Sequence, residues 1–131
     1  MFYHGGGFTV MHVFSYQRYL SYMASRLGCV VFSPEYRLAP EHPWPTGDED
    51  AHKATRYIYE NATELDIDPS KIILTGDSAG GFLTFVTWYR YELEIYVINI
   101  VNGKNTKPYR LLKRVTDLQG VVTRKMVNLK L

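Results

Sequence analysis

The chain has 131 residues, 46% of them hydrophobic and 15% aromatic, which fits one folded domain or part of one and argues against disorder. The net charge of +2 points to no particular partner, and one cysteine, Cys29, excludes an internal disulfide. No apolar run reaches the ~18 residues of a transmembrane segment, and Met1 to Gly7 lack the basic and apolar stretches of a signal peptide.

Charge is unevenly distributed. Residues 1–100 carry seven Lys/Arg against twelve Asp/Glu, and residues 101–131 carry eight against Asp117 alone. The basic residues of that second stretch are interleaved with apolar ones, so no nucleic-acid partner is expected. Residues 102–131 read as a basic tail of uncertain structure, foreign in character to the preceding chain.

Phe2-Tyr3 reads as the end of a strand and runs directly into His4-Gly5-Gly6-Gly7-Phe8. Tyr16, Tyr19, Leu20, Met23 and Leu27 recur at helical steps, with Ser15 as the expected N-cap and Gly28 as the stop. Cys29-Val30-Val31-Phe32-Ser33 is a continuous apolar run, expected to be a strand buried on both faces, with Cys29 a small buried hydrophobe. Pro34 to Pro45 is irregular and holds four prolines. Thr46-Gly47-Asp48-Glu49 has capping-box spacing and opens a second helix, whose buried face is Ala51, Ala54, Thr55, Ile58 and Ala62. Lys71 to Thr75 predicts a second buried strand, Phe82 to Arg90 a helix, and Glu94 to Val101 a third strand. Asn102-Gly103-Lys104-Asn105 is a turn signal. Alternation of this kind predicts an α/β fold: a mostly parallel sheet with helices on both faces.

Two glycine-rich loops follow strands and therefore share the edge where ligands bind in such sheets. Gly76-Asp77-Ser78-Ala79-Gly80 fits G-x-S-x-G, a tight strand-to-helix turn that lifts the serine hydroxyl clear of the sheet. The plainer reading of the pentapeptide is a Gly-Ser turn. The His4-Gly5-Gly6-Gly7 loop weighs against it, because a serine attacking an ester creates an oxyanion that needs preorganised N–H donors. Gly5, Gly6 and Ala79 are the expected donors and Ser78 the expected nucleophile. Neither loop fits a nucleotide-binding pattern.

Together with Tyr36-Arg37-Leu38-Ala39-Pro40-Glu41-His42-Pro43-Trp44-Pro45, these two motifs resemble, in order and spacing, those of the hormone-sensitive lipase family of α/β-hydrolases, which includes arylacetamide deacetylase-like esterases. The resemblance covers roughly residues 1 to 85 and makes residues 1–101 the central part of an α/β-hydrolase domain. It implies a serine carboxylesterase or lipase, with no cofactor or metal, acting on small-molecule acyl esters or lipids through an acyl-enzyme at Ser78. It implies that glycines of the first motif and Ala79 form the oxyanion hole, and that His4 braces its loop.

The chain departs from that pattern after Ser78. In α/β-hydrolases the acid and histidine follow the serine in sequence. Here His4, His12, His42 and His52 all precede it, and only Glu92, Glu94 and Asp117 follow. The triad acid and histidine are therefore not found, and the competing reading is an incomplete, non-catalytic hydrolase core. His4 is the candidate for a substitute base with His12 left open, while His42 and His52 read as surface residues. Asp77 is expected to diverge from the Ser78 hydroxyl, and Trp44 to act as a packing wedge.

Overall fold

The computed structural model describes residues 1–91, 96–101, 104–105 and 109–110. In chain order the elements are β1 (Phe2–Tyr3), a 3₁₀ turn (Val13–Tyr16), α1 (Gln17–Leu27), α2 (Thr46–Glu60), a second 3₁₀ turn (Pro69–Lys71), β2 (Ile73–Asp77), α3 (Ala79–Tyr91), β3 (Tyr96–Val101), β4 (Lys104–Asn105) and β5 (Tyr109–Arg110). β2 lies between β1 and β3 and is parallel to both. β4 and β5 pair antiparallel with β3. β1, β2 and β3 thus form the parallel part of the sheet that the alternation predicts.

The alternation of a strand settles where the helices lie. Phe2 and Tyr3 are both buried and point to opposite faces of β1. On one face the Phe2 ring meets Tyr16 and Tyr19 at 5.5 and 5.6 Å, which places the start of α1 there. On the other, Tyr3 packs with Tyr36, Ala51 of α2 and Leu83 of α3. Its hydroxyl donates to the Ala51 carbonyl at 3.1 Å and also meets the Thr55 hydroxyl. A second cluster joins Ile58, Ile72 and Leu74. Leu74 and Leu83 are fully buried, and each such side chain contributes about 1.5–3 kcal/mol.

The first part of the Tyr36–Pro45 segment is tied down on two sides. Arg37 forms a fork with Asp50 of α2, Nε and Nη2 each 2.8 Å from a carboxylate oxygen. The Ala39 N–H donates to the Phe8 carbonyl at 2.8 Å, so this segment braces the glycine loop.

Several expectations are corrected. Residues 29–33 form no strand. Cys29 and Val30 are exposed, and the segment shares a single backbone hydrogen bond with β1, from Phe2 N–H to the Phe32 carbonyl at 2.8 Å. β1 is only two residues long before the glycines begin, so it offers little ladder to pair with. Ser15 is not a helix cap; it lies inside the 3₁₀ turn, and α1 begins after Tyr16 without a side-chain cap. Gly28 does stop the helix, at φ 61°. α2 starts at Thr46, but the flanking position is Pro45, so the capping box is not made. Its buried face holds Ala51, Thr55 and Ile58 as expected, with Asp48 in addition, while Ala54 is only partly buried. α3 begins three residues earlier than predicted, at the elbow itself. Glu94 and the turn residues Asn102-Gly103 lie outside the described residues.

Candidate active site

The register of β1 on β2 builds the site. Phe2 pairs with Thr75 and Tyr3 with Gly76, so His4 and Asp77 leave adjacent parallel strands side by side. The two glycine loops thus meet at one edge, as the sequence predicts. Gly80 allows the close approach: a Cβ there would lie 1.9 Å from the Tyr3 carbonyl oxygen and 2.7 Å from that of His4.

Ser78 stands at the turn with φ 50°, a conformation rare for a residue with a side chain and typical of a sharp elbow. It is exposed. α3 begins at the next residue, which aims the unbonded N–H groups of its first turn toward the Ser78 edge.

The loop residues have fixed orientations. The His4 carbonyl accepts from the Tyr36 hydroxyl at 2.6 Å, and the Gly5 carbonyl lies 2.7 Å from His4 Nδ1. A trans peptide points its C=O and N–H in opposite directions. With the His4 carbonyl turned toward Tyr36, the Gly5 N–H faces the other way and donates to Asp77 Oδ1 at 2.9 Å. This corrects the expectation that the Gly5 N–H is an oxyanion donor, because that hydrogen is already directed at a carboxylate. By the same rule the Gly6 N–H points away from the buried His4 side chain. Gly6 adopts φ 112°, and its carbonyl accepts the N–H groups of Thr9 and Val10 at 3.1 and 3.0 Å, closing the turn. Gly6 and Ala79 remain as candidate donors.

The histidines are placed elsewhere. His4 is fully buried, stacked on the Tyr36 ring at 4.2 Å, with Nε2 3.7 Å from Glu35. That is the position of a brace rather than a base. His12 lies at the surface, 3.4 Å from Glu35. His42 is exposed, while His52 is half-buried on α2, its pKa lowered by burial and by Arg90. Of the acids after Ser78, Glu92, Glu94 and Asp117 lie outside the described residues. Among the described residues, no group of His, Cys, Asp and Glu has the arrangement of a metal site.

Beside Ser78 lies an apolar surface. Phe82, one turn along α3, meets Phe8 edge-on at 5.9 Å and Trp44 at 6.0 Å, and both Phe82 and Trp44 are exposed. Trp44 wedges against Phe82 while keeping an open face. A concavity of about 470 Å³ bounded by Phe14, Leu20 and Glu35 is not lined by Ser78.

The sequence does not reveal the Asp77–Gly5 bond or the part of Tyr16. Tyr16 donates to Asp77 Oδ2 at 2.9 Å from 61 residues away, a separation that no local motif encodes.

Residues 1–100 match a family model described as the alpha/beta hydrolase fold. Carboxylesterase NlhH of Mycobacterium tuberculosis is 43% identical over 86 residues, covering 66% of this chain and 27% of that protein. An AB hydrolase superfamily protein of Schizosaccharomyces pombe is 32% identical over 132 residues, covering 90% of this chain and 39% of that protein. The solved hyperthermophilic esterase of Pyrobaculum calidifontis superposes with a TM-score of 0.66 at 43% identity, over 68% of this chain and 29% of its own. The chain thus spans between about a quarter and two-fifths of the length of these relatives.

Proposed function

This chain belongs to the alpha/beta hydrolase fold family, in its hormone-sensitive-lipase group, and from that premise we propose that it carries the nucleophile and oxyanion half of a serine carboxylesterase site. The observation that carries the reading is the pairing of Tyr3 with Gly76, which sets the elbow of Ser78 beside the His4–Gly7 loop.

In this reading Ser78 Oγ attacks the acyl carbon of an ester. The carbonyl electrons move onto oxygen, which the N–H groups of Gly6 and Ala79 hold. Collapse expels the alcohol and leaves an acyl ester on Ser78, which water then hydrolyses. The Phe8–Trp44–Phe82 surface suits the apolar part of an acyl ester or lipid. Acylation requires a base for the Ser78 proton, while His4 and His12 both face Glu35 and His52 lies half-buried on α2. A serine without its base retains ~10³–10⁴-fold catalysis over water where the oxyanion hole and binding survive. The second reading, a hydrolase core without turnover, is favoured by that placement of the histidines.

The two readings separate in one assay. The purified chain and a Ser78→Ala variant are mixed with p-nitrophenyl butyrate. The expected result is slow p-nitrophenol release that the variant loses. Equal release from both would overturn the assignment of Ser78. Brisk turnover lost in the variant would show that a base operates within this chain.

A further inference from the structure

Asp77 is next to the nucleophile, yet its carboxylate faces away from it and into the glycine loop. Oδ1 accepts the Gly5 N–H at 2.9 Å, and Oδ2 accepts the Tyr16 hydroxyl at 2.9 Å. The Tyr16 oxygen also lies 3.2 Å from the Gly5 nitrogen, so the three groups close a ring of hydrogen bonds. Three separate pieces of chain meet there: the loop after β1, the 3₁₀ turn before α1, and the end of β2. A Cβ on Gly5 would fall 2.4 Å from Asp77 Oδ2, so a glycine is needed for the backbone to come this close to the carboxylate. Bonds to an ionised acceptor are the stronger kind, and this one is half-sheltered from water. The Tyr16 phenol is held in its protonated, donating form, its pKa raised by burial and by the Asp77 bond.

We propose that Asp77 and Tyr16 are positioning residues for the oxyanion loop: they fix the His4–Gly5 peptide by its N–H and, through the shared Gly5 Cα, help hold the next peptide with its Gly6 N–H outward as the loop's donor to the substrate oxyanion. The role rests on the assignment of Ser78 given above. The other side of that His4–Gly5 peptide is secured independently, because the Tyr36 hydroxyl holds the His4 carbonyl. The next peptide, which carries the Gly6 N–H, has its Gly5 carbonyl against His4 Nδ1. Loss of the Asp77 contact therefore frees one end of a peptide whose other end stays anchored. Such a change tilts the donor without unfolding the loop. It differs from a purely structural bond because its effect appears in the transition state, where the oxyanion exists, and not in the binding of the probe.

The test reads two quantities in the full chain. One is the hydrogen exchange of the Gly5 amide, followed by NMR with glycine-selective ¹⁵N labelling. The other is labelling of Ser78 by a fluorophosphonate over hours, resolved into its maximal rate and its half-saturating concentration. Asp77→Ala is expected to speed Gly5 exchange at least about tenfold and to lower the maximal labelling rate about 10- to 100-fold, with half-saturation little changed. Tyr16→Phe keeps the ring contacts and is expected to give a smaller loss of the same kind. Asp77→Asn retains an acceptor for the Gly5 N–H, and its labelling rate is expected to stay within about threefold of the parent. Circular dichroism checks that each variant is folded. If both Asp77→Ala and Tyr16→Phe leave Gly5 exchange and the maximal rate unchanged, the proposal is overturned. A change confined to half-saturation also overturns it. A parent chain that acquires no label at Ser78 defeats the nucleophile assignment itself, a failure visible before any variant of Asp77 is made.

Discussion

Gly80→Ala is expected to be among the most costly additions of a single methyl group in the described residues. The new Cβ would lie 1.9 Å from the Tyr3 carbonyl oxygen, 2.5 Å from its carbon and 2.7 Å from the His4 carbonyl oxygen. All three are backbone atoms of β1 and the loop after it, so no side chain can rotate aside. Either α3 slides off the sheet or β1 leaves its register on β2. Ordinary overpacking costs about 1–3 kcal/mol, and the expected loss here is at or above the top of that range. Either movement also separates Ala79 from Gly6, so Ser78 labelling should fall with stability. Gly28→Ala is the internal comparison. Gly28 has φ 61° but nothing within 4 Å of its Cβ position, so only backbone strain of about 1–2 kcal/mol applies. Thermal unfolding of both variants checks this. A Gly80→Ala chain that unfolds no earlier than Gly28→Ala would contradict the close contact of α3 with β1.

Arg90→Ala is expected to have the second-largest effect. Asp48, on the first turn of α2, is 1% exposed, and the Arg90 guanidinium of α3 sits 2.7 Å from its Oδ2. Removing one partner of a buried pair leaves an uncompensated charge, at about 3–5 kcal/mol when both are buried. Arg90 is partly exposed, so the expected loss is lower, about 2–3 kcal/mol. Burial already holds the Asp48 pKa above the ordinary carboxylate value, with Arg90 opposing that rise. Without Arg90 it climbs further. A carboxyl with a raised folded pKa costs stability as pH rises through the interval above its unfolded value, and costs nothing below it. The Arg90→Ala deficit should therefore be full near pH 7 and shrink near pH 4. Urea unfolding at the two pH values measures it. Equal deficits would show that the pair does not act through the Asp48 charge.

These two contacts also mark where the sequence stops being informative. The elbow is legible because its constraints are local: a strand of apolar residues, small residues around Ser78, then a helix, all within 20 positions. The loop of three glycines is legible for the same reason. The Asp48–Arg90 pair and the Asp77–Tyr16 bond join residues 42 and 61 positions apart, and nothing at either end announces the other. Residues 29–33 show the opposite error. Their composition is that of a buried strand, but pairing depends on a neighbour, and β1 supplies two residues. From sequence, Gly5 reads as a donor because it lacks a side chain. The direction of its N–H depends on Tyr36 and Asp77, which only the folded chain brings together.

The central claim is that Ser78 is a nucleophile served by the loop beside it. The most direct measurement is peptide mapping by mass spectrometry after long exposure of the chain to a fluorophosphonate. The expected result is a single slow adduct on the peptide containing Gly76-Asp77-Ser78-Ala79-Gly80, absent from Ser78→Ala. An adduct on tyrosine or lysine at the same rate in both chains, with Ser78 unmodified, would contradict it.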